Sequence, residues 1–248
     1  MKKIAISAIT EYDAVPISNG KDHAMIGTFA NSGAILVGSL IGIAAGRRVP
    51  ERIKTVVMQG LGLSVMLIGL QMALAGKEIL LTVSCLLIGG ITGELINIEK
   101  QLEKMGECIK RQFQSDSATF VHGFVSSSLL YLTGAMMIIG SIQDGTAGDS
   151  RTLYVKALLD GAASVALASS LGVGVAFSAL SVLVVQGGIT LLSSHLIFLS
   201  NPAVLGAISA TGGVLIFAIG INLLDLKRIR VGNLLPAIFY AIAWTAVK

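Results

Sequence analysis

Apolar runs of about 20 residues, separated by short charged segments, recur along this chain. A helix of that length spans the hydrocarbon core of a bilayer. Only 13% of the 248 residues are charged, whereas soluble domains carry about 25%. The pattern therefore predicts an all-α integral membrane protein in contact with the lipid bilayer and argues against a soluble fold with a single core.

The apolar runs predict about eight transmembrane helices. Their approximate limits are 26–46, 55–75, 79–98, 118–142, 154–172, 174–195, 202–225 and 234–247. The apolar stretch from 154 to 195 is too long for one span and is divided at Gly172. The next helix begins at Asn201 and Pro202, a capping residue followed by a proline in the first turn. Small residues recur every four positions in the first helix and predict close packing against another helix: Ala34, Gly38, Gly42 and Gly46.

Two segments fall outside these helices. Residues at about 98–115 alternate apolar side chains at helical spacing with charged ones, which predicts an amphipathic cytoplasmic helix on the membrane surface. Residues 1–24 contain no spanning run, and we expect them to form a disordered tail or an upstream extension. The predicted organisation is one transmembrane domain over 25–248.

Basic residues cluster in three predicted loops, and this asymmetry predicts the orientation. Eleven of the 18 lysines and arginines lie in the loops after the first, third and seventh helices. The positive-inside rule places those loops in the cytoplasm, and eight spans then leave both termini outside. Because topology accounts for the net charge of +4, that charge does not indicate a nucleic-acid partner.

The two halves of the chain resemble each other over three short stretches. FANSGAILVGSLIG (29–42) aligns with LLDGAASVALASSLG (158–172), VVMQG (56–60) with LVVQG (183–187), and ELINIEK (94–100) with NLLDLKR (222–228). The alignments superimpose four pairs of polar residues: Asn31 with Asp160, Gln59 with Gln186, Glu94 with Asn222, and Asn97 with Asp225. With four spans in each half, 26–142 and 152–247 would form parallel repeats. Transporters are often built from such repeats and bind their substrates at the repeat interface.

Six polar residues in or at the ends of the predicted spans are candidates for binding an ion or a solute: Glu94, Asp160, Asn31, Gln59, Gln186 and Asn222. An unpaired carboxylate inside a span costs roughly 2.5–3.5 kcal/mol, so its presence requires a partner or a role. Amide oxygens suit a hard cation or a chain of waters. We therefore expect Glu94 and Asp160 to be the inner and outer ionisable members of one polar path.

A structural interpretation of the same residues stays open. Asp160 can pair with Lys156 one turn away at the outer interface, and Glu94 can reach the headgroups or a basic side chain. The amides can form hydrogen bonds between helices.

Motifs for enzyme chemistry are absent from the chain. There is no phosphate-binding loop, no G-x-S-x-G, no H-E-x-x-H and no C-x-x-C. We therefore predict a protein that is not an enzyme and that carries no cofactor. His122 and His195 lie at span ends without a cysteine or acid at ligand spacing, so no metal site is predicted.

Several separated motifs resemble one family of bacterial membrane proteins. In chain order they are MIGTFANSGAILVGSLIG (25–42), RVPERI (48–53), GELINIEK (93–100), GTAGDS (145–150), KALLDG (156–161) and NLLPA (233–237). On these motifs the chain from Met25 onward resembles the YqgA and YdfK family, domain of unknown function 554. The resemblance implies a multi-pass protein of the bacterial cytoplasmic membrane and carries a speculative label of sodium channel or pump. It does not identify a substrate.

Two classes of function remain open from the sequence. The first is transport of a small ion such as Na⁺ or H⁺, or of a small polar solute, by a secondary transporter or channel. The alternative is a non-transporting membrane protein of assembly or signalling, and a homo-oligomer is compatible with either. Polar groups that face one another in the bundle favour transport, and polar groups scattered over helix interfaces favour the alternative.

Overall fold

The computed structural model describes residues 25–46, 48–76, 78–115 and 117–247, and their regular structure is helical. These residues form eleven α-helices: α1 (Ile26–Gly46), α2 (Glu51–Leu74), α3 (Ile79–Ile96), α4 (Ile98–Gln112), α5 (Phe120–Leu132), α6 (Ala135–Ala147), α7 (Arg151–Leu171), α8 (Gly174–Leu191), α9 (Pro202–Leu223), α10 (Val231–Leu234) and α11 (Pro236–Val247). Two short 3₁₀ helices join α8 to α9. The predicted all-α class is confirmed, and the expectation for 1–24 lies outside the described residues.

Five of the described helices are long and apolar enough to cross a bilayer, namely α1, α2, α3, α8 and α9. The pair α5 and α6 meets the same criteria when taken together, and α10 with α11 forms a shorter apolar stretch. Helix α7 has the same length as α1 but carries Arg151, Lys156 and Asp160. In this helical membrane protein, five or six of the eight predicted spans are therefore long and apolar enough to cross a bilayer.

The span predicted at 118–142 is a bent pair of helices and not one straight helix. Helix α5 ends at Leu132, α6 begins at Ala135, and their axes differ by 65°. Gly134 adopts an extended backbone conformation (φ −94°, ψ 143°) and therefore interrupts the helical hydrogen bonds. Hydropathy alone does not detect this break, because the residues on both sides are apolar.

Helices α1 and α7 run parallel and touch through their backbones. If any of three glycines of α1 carried a Cβ atom, that atom would lie closer than 3.0 Å to a carbonyl oxygen of α7. Real Cβ atoms essentially never come so close. The pairs are Gly38 with Gly161, Gly42 with Val165, and Gly46 with Ser169. The partner numbers rise together in steps of four, which defines the parallel direction. The stripe of small residues predicted in the first helix is therefore a close-packing face.

Other glycine contacts give the directions of the remaining helices. Helix α2 runs antiparallel to α9, α3 runs antiparallel to the segment formed by α10 and α11, and the α5–α6 pair runs parallel to α8. The contacts are Gly62 with Gly220, Gly69 with Gly213, Gly89 with Ala237, Gly93 with Asn233, Gly174 with Phe120, and Gly145 with Thr190. Only 17% of the apolar window of α2, and the same share of α3, is buried inside the protein. Their exposed apolar faces are suited to contact lipid.

Helix α4 covers one end of the bundle, which we call the α4 end. Its apolar residues Leu102 and Ile109 pack against the core, and Glu103 forms an ion pair with Arg228. The predicted amphipathic helix is thus present from Ile98 to Gln112. The starts of α1 and α7 lie at the opposite end.

Two predicted helix boundaries are also confirmed. Helix α7 ends at Leu171 and α8 begins at Gly174, with Gly172 at φ +77° between them. A positive φ is readily adopted by glycine, which explains the break in this apolar stretch. At the start of α9, Asn201 Oδ1 accepts a hydrogen bond from the Ala203 amide (2.9 Å).

Candidate functional site

A buried polar network joins α1, α7 and α8 at the end opposite α4. Asn31 Nδ2 donates to Asp160 Oδ2 (3.1 Å) and to Gln186 Oε1 (2.9 Å). Gln186 Nε2 donates to Thr28 Oγ1 (3.1 Å), and Lys156 Nζ donates to Asp160 Oδ2 (2.6 Å). Asp160 is 8% exposed and Asn31 and Gln186 are fully buried. Three of the six predicted candidates therefore meet in one site.

The charged pair of this network lies along one face of α7. Lys156, Asp160 and Ser164 are spaced four residues apart, and all three are buried. Ser164 Oγ shares a hydrogen bond with the Tyr131 hydroxyl of α5 (2.7 Å). The pairing with Lys156 is the structural interpretation that the sequence left open. It occurs inside the bundle, however, where removal of both charges from water is costly.

The network contains acceptor atoms that the described residues do not use. Both hydrogen bonds to Asp160 reach Oδ2, and the buried Asn31 Oδ1 has no partner among the described residues. A buried acceptor without a donor costs free energy unless water or an ion satisfies it. The site therefore has ligand atoms for a small cation or a proton-carrying water.

The network extends through residues that the sequence analysis missed. Thr28 Oγ1 lies 3.3 Å from Thr190 Oγ1. Both positions had a usable signal, because Thr28 is three residues before Asn31 and Thr190 is four after Gln186, so each shares a helix face with a candidate. The nearby buried Asp144 accepts the Met25 amide at Oδ2 (3.1 Å). It lies between the spans predicted at 118–142 and 154–172, and the sequence analysis gave no signal for a buried carboxylate there.

Glu94 lies at the α4 end and is not part of this network. Its side chain is 54% exposed and forms an ion pair with Arg230. Its Oε2 accepts a hydrogen bond from Asn233 Nδ2 (2.6 Å). Its predicted role at the inner end of a path stays a prediction.

The structure also keeps Asn222 and Gln59 away from the network. Asn222 Nδ2 donates to the Ile229 carbonyl (2.8 Å), and its Oδ1 accepts the Ile229 amide (2.7 Å), so this side chain holds the loop between α9 and α10. Gln59 is an exposed residue of α2. It borders a small cavity of about 310 Å³ together with Lys54 and Asp225.

A second polar feature is a cavity of about 380 Å³ at the α4 end, between α4, α5 and α9. Its charged and titratable lining residues are Glu99, Glu103, His122, Asp225, Lys227 and Arg228. Burial raises the pKa of Glu99, and the hydrogen bond that its carboxylate accepts from the Gly232 amide opposes this shift. Along α5 the cavity reaches Leu129. Tyr131, which contacts the α7 face of the network, lies two residues further along but on a different face of that helix.

No group of three histidine, cysteine or acidic residues that could hold a metal ion occurs within the described parts of the chain. The network consists instead of one carboxylate, one ammonium group, two amides and hydroxyls. Such neutral and anionic oxygens suit hard cations or protons more than transition metals.

The family described as "Protein of unknown function (DUF554)" matches residues 26–246. The chain is 28% identical to "Uncharacterized protein YqgA" of Escherichia coli (strain K12) over 231 residues, which cover 90% of this chain and 98% of that relative. It is 30% identical to "Uncharacterized membrane protein YdfK" of Bacillus subtilis (strain 168) over 218 residues, which cover 86% and 93%. No solved structure matches the chain significantly.

Proposed function

The chain belongs to the DUF554 family and is a membrane protein, and from this premise we propose that it transports a small monovalent cation, Na⁺ or H⁺, with Asp160 as the ion-binding carboxylate. The observation that carries the proposal is the buried cluster of Asp160, Lys156, Asn31 and Gln186 with its unused acceptors. A buried ion pair is weak evidence of stability, because apolar residues of similar volume often serve the fold as well. Ionisable groups inside membrane domains more often mark ion or proton pathways.

The mechanism that fits this geometry is competition between two cations for one carboxylate. In the structure the Lys156 ammonium occupies Asp160 Oδ2. A proton or Na⁺ that binds Asp160 would displace the ammonium, and Asn31 Oδ1 and Gln186 Oε1 would supply neutral oxygens. The displaced ammonium would have to extend towards water or release its proton, because an uncompensated charge in the bundle would be costly. The cavity at the α4 end would give access to this region from the other side.

An eight-span topology is part of the proposal. Eight alternating crossings, with α10 and α11 together as the last, agree with the observed helix directions. Helix α1 is parallel to α7 and the α5–α6 pair is parallel to α8, whereas α2 is antiparallel to α9 and α3 is antiparallel to the segment formed by α10 and α11. The basic loops after α1, α3 and α9 then share one side with α4. By the positive-inside rule that side faces the cytoplasm, in the bacterial inner membrane.

Two observations support the proposed parallel repeats, and one does not. Asn97 and Asp225, which the sequence alignment superimposes, both adopt left-handed backbone conformations (φ 60° and 55°) just after α3 and α9. Helices α1 and α7, which the alignment also superimposes, are parallel. Gln59 and Gln186, in contrast, lie in different environments, so the repeat does not extend to a matched pair of binding residues.

Topology can be tested with single cysteines in a background in which Cys85 is alanine and Cys108 is serine. Arg52→Cys, Lys104→Cys and Arg228→Cys should resist an impermeant thiol reagent in intact cells, because the proposal places them inside. Ser194→Cys, at an exposed position between α8 and α9, is the matched control and should react. Labelling of any of the three inner positions from outside would contradict the topology.

Flux of Na⁺ and H⁺ into proteoliposomes tests the transport proposal. Asp160→Asn keeps the shape of the side chain and removes its charge, so we expect coupled flux to fall at least tenfold, to about the rate of empty liposomes. Asp149→Asn is the matched control, because Asp149 is an acid paired with Arg151 outside the network, and it should retain wild-type flux. Glu94→Gln tests whether Glu94 belongs to the same path.

The outcomes of the flux assay separate the two classes of function. Wild-type flux in Asp160→Asn would remove Asp160 from the transport mechanism. A folded wild-type protein that moves no cation of the panel would instead favour the non-transporting alternative.

A further inference from the structure

The break between α5 and α6 leaves backbone groups without backbone partners, and Tyr131 and Thr133 at the break are buried. Across it, the Thr133 amide donates to the Leu129 carbonyl (3.1 Å), and the Met137 amide donates to the Gly134 carbonyl (3.2 Å). Within the described stretch 117–247, the carbonyls of residues 130–133 accept no backbone hydrogen bond and the amides of residues 134–136 donate none. Irregular backbone at membrane depth requires satisfaction by protein, water or a ligand.

Two buried hydroxyl groups lie at or beside this break, also without partners. Thr133 is 2% exposed and Thr211 is fully buried, and neither Oγ1 has a hydrogen-bond partner among the described residues. Thr211 precedes Gly212, whose backbone lies so close to the Thr133 carbonyl oxygen that a Cβ there would approach it within 3.0 Å. Buried polar side-chain atoms usually have a partner, so two unpartnered hydroxyl groups near one helix break are available to a ligand.

The break is located near half the depth of the bundle. Gly212 lies at the middle of α9, which extends from Pro202 to Leu223. The carbonyl end of a helix carries partial negative charge. In broken membrane helices, such carbonyl ends coordinate cations. The free carbonyls at the end of α5 have this character.

We propose that the break between α5 and α6 binds a monovalent alkali cation, with Na⁺ as the first ion to test. The ligands would be drawn from the free carbonyl oxygens of residues 130–133 and the hydroxyl oxygens of Thr133 and Thr211. Neutral oxygens of this kind replace the hydration shell of a monovalent ion. Ca²⁺ and Mg²⁺ sites use carboxylate ligands, and this set contains none. The site is distinct from Asp160, and the proposal concerns binding, so it does not depend on transport.

Thermal unfolding of the purified full-length chain in detergent tests the proposal. At constant ionic strength, NaCl should raise the midpoint relative to choline chloride in a saturable manner, because a ligand that binds only the folded state stabilises it. Thr133→Val and Thr211→Val remove one hydroxyl each and should raise the half-saturating Na⁺ concentration by about tenfold. Thr92→Val is the matched control, since the Thr92 hydroxyl bonds within its own helix, and it should respond as the wild type does.

Asp160→Asn distinguishes this site from the network. It should keep the Na⁺-dependent stabilisation and one site for radiolabelled Na⁺ in equilibrium binding. Loss of both in Asp160→Asn would assign the ion to Asp160 and overturn the proposal. Equal stability of the wild type in NaCl and choline chloride would also overturn it and leave water as the occupant of the break. The radiolabel measurement does not need the valine variants, so it decides the matter even if they fail to fold.

Discussion

Replacement of Lys156 by methionine is expected to destabilise the folded protein by about 3–5 kcal/mol, because it leaves the Asp160 carboxylate buried without its cation. The two charged atoms are 2.6 Å apart, and Lys156 is only 6% exposed. The Asn31 amide is the other described donor to Asp160, and one neutral donor does not replace an ammonium group. The expected loss should appear as a lower midpoint of thermal unfolding in detergent.

A double-mutant cycle isolates the pair from the rest of the network. Lys156→Met with Asp160→Asn removes both charges, so most of the stability lost in Lys156→Met should return. Asp160→Asn alone should cost less than Lys156→Met, since a lysine near the end of a helix can extend its ammonium group towards water. The double variant also serves in the flux assay as a protein in which Asp160 offers no carboxylate to an ion.

An exposed ion pair of the same chain gives the control for this cycle. Lys54 pairs with Glu51, whose side chain is 85% exposed, so Lys54→Met should change stability by at most about 0.5 kcal/mol. If Lys156→Met costs no more than Lys54→Met, the network pair is not desolvated in the way that the structure shows. The competition mechanism would then lose its basis.

Replacement of Gly42 by alanine should destabilise the protein by about 1–3 kcal/mol or more through the interface of α1 with α7. The added Cβ would lie closer than 3.0 Å to the Val165 carbonyl oxygen, which belongs to the backbone and cannot rotate away. The two helices would have to separate. Because Asn31 and Asp160 face each other across this interface, the same movement should lengthen their hydrogen bond.

Gly33→Ala is the matched control on the same helix, since a Cβ there meets no atom within 4 Å. Alanine is favoured over glycine in a helix by roughly 0.5–1 kcal/mol, so this variant should be neutral or slightly stabilising. Unfolding midpoints and the yield of monodisperse protein should separate the two variants clearly. Equal effects of the two substitutions would show that the close approach of α1 and α7 is not what stabilises the bundle.

Several local features of this protein could be predicted from the sequence alone. The apolar runs specify membrane helices because each run carries enough hydrophobic length for a bilayer. Gly172, the Asn201 cap and the spacing of apolar residues in α4 are also local signals, and the structure agrees with each. The four-residue stripe around Gly38 predicted close packing but not the partner helix, since spacing within one helix carries no information about its neighbour.

The composition of the site was decided by tertiary structure. Asn31, Asp160 and Gln186 were candidates on their residue types, but only the packing of α1, α7 and α8 brings them into contact. The same packing adds Thr28, and it leaves Glu94 paired with Arg230 at the other end. Hydropathy and periodicity describe one helix at a time, so they determine which segments enter the membrane and which face of each is small or polar. The rotation and neighbours of each helix depend on contacts between distant parts of the chain, and these contacts select the polar groups that meet.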